Sequence, residues 1–267
     1  MTVELRVAGK KAYAYTGGKA FDAKLPPVVF VHGGEQDHSV WTLQSRYLAH
    51  HGFGVLAVDL PGHGRSGGAP LARIQDMADW IVAFLDAAGV TSAALIGHSM
   101  GSLAVLDCAA RHPRRVTRIA LLGTAFPMRV SPELLQATRD NEPAAQDMIN
   151  IWSHSAYAHY PSNPGPGFWV PGGSLRLMQR QKPGVLHADF SACNDYSEGL
   201  ARAAQVGCPA LLILGRRDAM TPVRAALEIA RAIPDARTVT LEGSGHNLMG
   251  EKPDEVLDAL REFLVPG

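Results

Sequence analysis

One serine of this chain stands between two glycines directly after an apolar run. The pentapeptide Gly97-His98-Ser99-Met100-Gly101 follows residues 93–96, so we expect Ser99 at a sharp turn from a strand into a helix. Such a turn forces the central residue into a left-handed backbone region and requires small neighbours. It also leaves N–H groups at a helix N-terminus, where a developing negative charge is stabilised. The motif therefore predicts an activated serine, although a pentapeptide alone occurs by chance in many proteins.

An aspartate and a histidine follow two later apolar runs. Asp218 comes shortly after residues 211–214, and His246 comes after the run that ends at Leu241. Because the carboxyl ends of parallel strands meet at one edge of a sheet, we expect both side chains beside the serine turn. A serine hydroxyl needs a histidine to take its proton and a carboxylate to hold that histidine. The sequence therefore predicts a catalytic triad of Ser99, Asp218 and His246.

The elements that position these residues alternate along the chain. Apolar, β-branched runs predict central strands, and amphipathic runs predict helices at 74–85, 102–110 and 253–264. Strands that alternate with helices give an α/β fold, with a mostly parallel sheet covered by helices on both faces. The opening segment 3–15 predicts an antiparallel edge hairpin. Central strands are expected at 28–31, 54–58, 93–96, 119–122, 210–214 and 238–241.

The interval 126–205 interrupts this alternation. It lacks a convincing core strand, contains proline breaks, and is rich in aromatic residues and histidines. An interval of this length is too long for a bare loop in a compact domain. We therefore expect a mainly helical cap at 126–205 between two parts of the core, 1–125 and 206–267, with 160–167 as an irregular crossing. Some cap aromatics, with Trp152 and Trp169 as candidates, are expected to face the pocket.

Four separated motifs resemble the pattern of the α/β-hydrolase fold superfamily, over nearly the whole chain except the cap. They are Val31-His32-Gly33-Gly34, the segment 59–66, the serine pentapeptide, and the loops that carry Asp218 and His246. The resemblance implies an eight-stranded, mostly parallel sheet with a cap inserted after the sixth strand. It also implies a serine-nucleophile hydrolase that uses the triad predicted above.

The same resemblance implies an oxyanion hole. In capped members of the family, its donors are the N–H of the residue after the nucleophile and the N–H of the residue after the His-Gly pair. By position these residues are Met100 and Gly34. A glycine at 34 has no Cβ, so its backbone can approach a substrate oxygen closely.

The loop 35–41 carries charged residues where many relatives have glycine or proline. Either the loop is a solvated rim that caps a helix beginning near Ser39, or Glu35 or His38 lines the mouth of the pocket and contacts a polar part of the substrate. His98 flanks the serine and is a further pocket candidate. His32 is expected to brace the oxyanion loop.

With serine as the nucleophile, the expected reaction is hydrolysis of an ester, thioester or lactone of a small molecule through an acyl-enzyme. Relatives with the same triad cleave carbon–carbon bonds in vinylogous diketo acids, or make peracids without a cofactor. In the first case Arg176 or Arg180 is a candidate to hold the substrate carboxylate. A non-catalytic small-molecule receptor is a further alternative, because a fold alone does not fix function.

Composition narrows the choice of partners. Lys plus Arg equals Asp plus Glu at 25 each, and no basic stripe stands out among the 267 residues, so we expect neither nucleic acid nor a membrane as partner. The start lacks a signal-peptide pattern and no apolar run approaches the roughly 20 residues of a membrane span, which favours a cytoplasmic protein. A monomer or a homodimer is expected.

No cofactor or metal is predicted. Three widely spaced cysteines, Cys108, Cys193 and Cys208, are typical of reduced thiols rather than of a disulfide framework. No pair of histidines has metal-ligand spacing with a supporting carboxylate. The glycines at 62–67 resemble a dinucleotide fingerprint only weakly, because they follow the wrong strand and do not open a clear helix.

Overall fold

Eight strands form one sheet in the computed structural model, which describes residues 1–159 and 169–265. The first two strands form an antiparallel hairpin at one edge, the second pairs antiparallel with the fourth, and the remaining pairs are parallel. The strands are β1 (Thr2–Val7), β2 (Lys10–Tyr15), β3 (Pro27–Val31), β4 (Gly54–Asp59), β5 (Ala93–His98), β6 (Val116–Leu122), β7 (Ala210–Gly215) and β8 (Ala236–Leu241), and their spatial order is β1-β2-β4-β3-β5-β6-β7-β8. This confirms the predicted mostly parallel sheet and its edge hairpin.

Helices cover both faces of the sheet. In chain order they are α1 (Thr42–His50), α2 (Ile74–Ala87), α3 (Met100–Arg111), α4 (Pro132–Asp140), α5 (Glu142–Ser153), α6 (Val170–Gln179), α7 (Val185–Asp195), α8 (Gly199–Ala203), α9 (Val223–Ala232), α10 (Leu248–Glu251) and α11 (Pro253–Leu264). Residues of α1, α10 and α11 are buried in one apolar cluster with the sheet, and residues of α2, α3 and α9 in another. Because central strands are buried on both sides, β4, β5 and β7 have no exposed residue.

The insertion between β6 and β7 is mainly helical in its described part, as predicted. Helices α4 to α7 enclose a small apolar core of their own that includes Leu134, Ile149 and Leu186. Beyond that core, Tyr196 and Ala203 are buried in the main core of the sheet. The last part of the insertion is therefore anchored to the sheet. The predicted crossing at 160–167 lies outside the described residues.

None of the helices in the described ranges is both long enough and apolar enough to cross a lipid bilayer.

Candidate active site

Ser99 occupies a strained turn between β5 and α3. Its φ of 51° and ψ of −119° lie outside the regions that most residues adopt, which costs about 1–3 kcal/mol. The turn is tight: a Cβ added to Gly97 would lie 2.3 Å from the carbonyl oxygen of Gly101, and one added to Gly101 would lie 2.5 Å from that of His32. Both flanking positions therefore require glycine. The Ser99 N–H donates to the carbonyl oxygen of Leu122 at 2.9 Å, which ties the turn to β6.

Asp218 and His246 are hydrogen-bonded partners on loops after β7 and β8. The Nδ1 atom of His246 lies 2.8 Å from Oδ2 of Asp218. The carboxylate also accepts hydrogen bonds from the Thr221 hydroxyl at 2.6 Å and from the backbone N–H groups of Met220 and Thr221. Burial alone would raise the pKa of Asp218, but the charge of His246 and these hydrogen bonds outweigh it and lower that pKa. An ionised Asp218 accepts a hydrogen bond from Nδ1 of His246, so the imidazole proton lies on Nδ1. The other ring nitrogen, Nε2, does not contact Asp218.

Two further residues lie close to His246. His98 is buried and its Nε2 donates to the carbonyl oxygen of His246 at 2.9 Å. Burial and the neighbouring His246 lower the pKa of His98 to about 3, so its ring is neutral. On the other side, a Cβ added to Gly123 would lie 3.0 Å from both Cε1 and Nδ1 of the His246 ring, and Gly123 has a φ of +53°. Sequence reasoning missed Gly123, whose only signal was its place directly after β6.

The loop after β3 passes close to the cap. A Cβ added to Gly34 would lie 3.1 Å from the ring of Phe190 on α7, so a side chain there would press against the cap. The N–H of the next residue, Glu35, donates to Oδ2 of Asp189 at 2.8 Å. Glu35 itself has a φ of 52°, a conformation in which non-glycine residues are uncommon. Contacts from α7 therefore help to hold this loop.

His32 ties the start of the same loop to the sheet. Its Nδ1 donates to the carbonyl oxygen of Gly33 at 2.8 Å, while Nε2 accepts from the N–H of Leu60 at 3.1 Å. Burial is the main reason that the pKa of His32 falls to about 4. The neutral ring can therefore donate through one nitrogen and accept through the other.

Glu35 and His38 line neither of the two cavities beside Ser99. The sequence had offered one of them as a residue at the mouth of the pocket. Glu35 is fully buried, and its Oε1 accepts a hydrogen bond from the Gln146 side chain on α5 at 2.7 Å. Burial raises the pKa of Glu35 to about 9, so the carboxyl is protonated at neutral pH. His38 contacts Asp59 at 2.8 Å through Nδ1. Asp37 caps the helical turn that begins at His38, as one alternative expected, but the loop is not the solvated rim of that alternative, because Glu35 and Asp37 are buried.

Asp37, His38 and Asp59 bring three ligand-type atoms within 4.8 Å of one another. The oxygens already accept hydrogen bonds, however. Asp37 accepts from Arg180 at 2.6 Å, and Asp59 accepts from His38 and from the backbone N–H of Arg65. The group is satisfied as a hydrogen-bonded turn, and we assign it no metal.

Two cavities meet at Ser99, and residues Gly34, Ser99, Phe190, Met220 and His246 line both. The larger, of about 210 Å³, has a mainly apolar wall formed by Met100, Met128, Val130, Leu134, Trp152 and Cys193, with Arg129, Ser131, Ala219 and Thr221 completing the lining. The smaller, of about 40 Å³, has a more polar wall that includes Gln36, His98, Asn150, Ser153, His154, Ser174 and Asn247.

The pocket residues predicted from the sequence lie in different places. His98 lines the smaller cavity and Trp152 the larger one, whereas Trp169 is 70% exposed and lines neither. Phe190 belongs to the cap aromatics of which some were expected to face the pocket, whereas Met220 and Asn150 were not predicted. Nothing local in the sequence distinguishes a pocket-facing apolar side chain from one in the cap's own core.

This chain belongs to the alpha/beta hydrolase fold family, whose model matches residues 26–253. A pimeloyl-acyl-carrier protein methyl ester esterase of Chromobacterium violaceum is 29% identical over 246 residues, 90% of this chain and 94% of that protein. A 2-hydroxymuconate semialdehyde hydrolase of Pseudomonas putida is 25% identical over 277 residues, 98% and 93% of the two chains. The structure of the enol-lactonase from Burkholderia xenovorans LB400 superimposes with a TM-score of 0.86 at 25% identity, covering 98% of this chain and 99% of that one.

Proposed function

We propose that the protein is a serine hydrolase that cleaves an ester, thioester or lactone of a small molecule through an acyl-enzyme. The observation that carries this proposal is the 2.8 Å contact of His246 Nδ1 with Asp218, on a ring that lines the same two cavities as the strained Ser99. Support also comes from the esterase and lactonase named above, which share the fold along nearly their whole lengths.

In the proposed reaction, the Ser99 hydroxyl attacks the scissile carbonyl carbon as its proton passes to Nε2 of His246. His246 then gives this proton to the leaving group, and the acyl group stays on Ser99. Water that transfers a proton to His246 then attacks the acyl-enzyme, and His246 returns this proton to the Ser99 oxygen as the bond to the acyl group breaks and the acid leaves. Asp218 holds the imidazole and stabilises its charge in both half-reactions.

The backbone N–H groups of Gly34 and Met100 would stabilise the oxyanion that forms in each half-reaction. Met100 is the first residue of α3, where the helix dipole adds to the effect of its N–H. Both residues line the larger cavity beside Ser99. One preorganised donor of this kind is typically worth about 100- to 1,000-fold in turnover.

Carbon–carbon bond hydrolysis is the second candidate, because one relative is a 2-hydroxymuconate semialdehyde hydrolase and Arg129 lines the larger cavity. The two arginines expected to hold a carboxylate are engaged elsewhere. Arg180 pairs with Asp37 at 2.6 Å, and Arg176 donates to Gln179 at 2.9 Å. Arg129 is exposed and donates to the carbonyl oxygen of Asn194. Ester, thioester or lactone cleavage is therefore the better-supported reaction.

The test is steady-state turnover of a short p-nitrophenyl ester and of a vinylogous diketo acid by the wild type, Ser99→Ala and Ser197→Ala. Ser197 is exposed and outside both cavities, so its variant controls for the loss of a serine. We expect sustained ester turnover that only Ser99→Ala abolishes. A single burst or no turnover would favour a receptor, and faster cleavage of the diketo acid would favour the second candidate.

A further inference from the structure

The smaller cavity at Ser99 has several polar side chains in its wall, beside apolar ones such as Ile149 and Met178, and its described lining apart from His246 carries no charged side chain at neutral pH. Apart from His246, which both cavities share, its titratable lining residues are His98 and His154. Burial lowers the pKa of His154 to about 4, as it lowers that of His98 to about 3. Both rings are therefore neutral over the pH range in which a serine hydrolase works. The described lining includes no lysine, arginine, aspartate or glutamate.

Hydrogen bonds fix most of the polar groups in this wall. His154 donates through Nδ1 to the backbone carbonyl oxygen of Asn150 at 2.7 Å. The side-chain Nδ2 of Asn247 lies 3.0 Å from Nε2 of His154 and 2.9 Å from Oγ of Ser174. Nε2 of His154 therefore acts as an acceptor, which again requires a neutral ring. This network holds Asn247 directly beside the proposed base, His246.

Asn150, on α5, carries a polar atom outside this network. Its side-chain Oδ1 is buried and has no hydrogen-bond partner within the part of the chain that the structure describes. An unpaired buried acceptor is destabilising, and a ligand that brings an N–H or O–H donor recovers this loss. The unpaired oxygen belongs to a residue that lines a cavity beside Ser99.

We propose that this smaller cavity binds the alcohol arm of the ester, that it selects a neutral arm bearing a hydroxyl or amide N–H for Asn150, and that it excludes a carboxylate. The inference rests on the proposed hydrolase function. A carboxylate in this cavity would lose its water and find no cation among the described lining residues.

The two arms of the substrate are assigned from the residues around the scissile bond. The leaving oxygen must lie beside His246 to receive its proton, and Asn247, the next residue, forms part of the smaller cavity. Of the two proposed oxyanion donors, Gly34 lines both cavities and Met100 only the larger one, whose apolar wall fits an acyl chain. The acyl arm therefore occupies the larger cavity.

The test compares propyl, 2-hydroxyethyl and carboxymethyl hexanoate, which differ only in the alcohol arm. Each kcat/KM is divided by the rate constant for alkaline hydrolysis, so that the intrinsic reactivity of the ester cancels. For the wild type we expect the 2-hydroxyethyl ester to exceed the propyl ester by about 3- to 10-fold, the range of one neutral hydrogen bond. The carboxymethyl ester should fall below the propyl ester.

Two variants of Asn150 test whether its side chain accepts the hydrogen bond from the alcohol arm. Asn150→Leu should bring the ratio of the 2-hydroxyethyl to the propyl ester to about one. Asn150→Asp keeps the shape of the side chain and its acceptor, so it should keep the hydroxyl preference and reject the carboxymethyl ester more strongly. Gln136→Leu, at an exposed position of the cap helix α4, is the matched control and should show the wild-type ratios.

The possible failures are distinguishable. No turnover of these esters or of the p-nitrophenyl ester contradicts the proposed function itself. Turnover with a hydroxyl-to-propyl ratio near one, or with the carboxymethyl ester fastest, overturns the inference and leaves the hydrolase intact. A hydroxyl preference that persists in Asn150→Leu also overturns it.

Discussion

Asp189, on the cap helix α7, accepts a 2.8 Å hydrogen bond from the backbone N–H of Glu35, one residue beyond the proposed oxyanion donor Gly34. The same carboxylate oxygen lies 2.8 Å from Nε2 of the buried His63, whose Nδ1 faces the carbonyl oxygen of Pro61 at 3.0 Å. Burial alone would lower the pKa of His63, but Asp189 and these hydrogen bonds outweigh it and raise that pKa. Because both ring nitrogens face acceptors, His63 is protonated on both and forms a buried ion pair with Asp189. This pair holds the cap, the loop that bears Gly34 and the turn after β4 together.

Replacement of Asp189 should therefore impair catalysis through the position of the oxyanion loop. We expect Asp189→Ala to lower kcat about 10- to 100-fold with a smaller change in KM, because misplacement by an ångström costs on this scale. Asp189→Asn keeps an acceptor for the Glu35 N–H and should retain more activity.

The matched control is Asp195→Ala, at the exposed end of the same helix. Removal of one partner of a buried ion pair typically costs about 3–5 kcal/mol, so kcat must be measured below the Tm of each variant. A folded Asp189→Ala protein with wild-type kcat would contradict the positioning role.

Glu35→Gln should stabilise the protein increasingly as the pH rises. The pKa of Glu35 is raised from 4.5 to about 9 in the folded state, so its favourable contribution is complete below about 4.5 and is lost as the pH rises towards 9. Glutamine stays neutral and keeps an oxygen for Gln146. We expect the free energy of unfolding in urea to favour the variant more at pH 8 than at pH 5. The KM of the variant should equal that of the wild type, since Glu35 lines neither cavity. A raised KM would instead support the substrate contact that the sequence analysis offered for Glu35.

Gly123→Ala should displace the imidazole of His246. The added methyl group would lie 3.0 Å from the ring, and we expect kcat to fall about 100-fold. Gly89→Ala is the matched control, because Gly89 also has a positive φ, of +68°, but has nothing within 4 Å of the added methyl. Both variants incur the backbone cost of a non-glycine residue at positive φ. Equal kcat values for the two would show that the His246 ring tolerates the methyl group.

Asp218→Asn should lower kcat roughly 10,000-fold, as in the serine-protease triad, because the amide holds the imidazole in the wrong tautomer. Thr221 and the two backbone N–H groups that contact the carboxylate should keep the loop in place. Asp235→Asn, at an exposed position before β8, serves as the control. Near-normal activity of Asp218→Asn in a p-nitrophenyl ester assay would mean that another acid supports His246.

The sheet and the three proposed catalytic residues can be predicted from the sequence because their signals lie in short, local stretches of the chain. Ser99, Asp218 and His246 each follow an apolar run closely, and parallel topology brings the ends of those runs to one edge. The surroundings of Glu35 depend instead on distant partners: its side chain meets Gln146 across 111 positions, and its N–H meets Asp189 across 154. A charged residue in a loop beside glycines is expected to be solvated, and no local pattern reveals that the cap will bury it.

The ion pair of His63 and Asp189 also limits which cap segments this chain can accept. A chimera that received the α4–α7 segment of another hydrolase would lose Asp189 unless the donor supplied an acid at the same place. His63 would then be left charged and unpaired, or neutral with an unsatisfied nitrogen, and the loop bearing Gly34 would lose its anchor. A chimera in which the cap is replaced to change the substrate preference must therefore keep Asp189 and His63 together, or replace both with a matching pair.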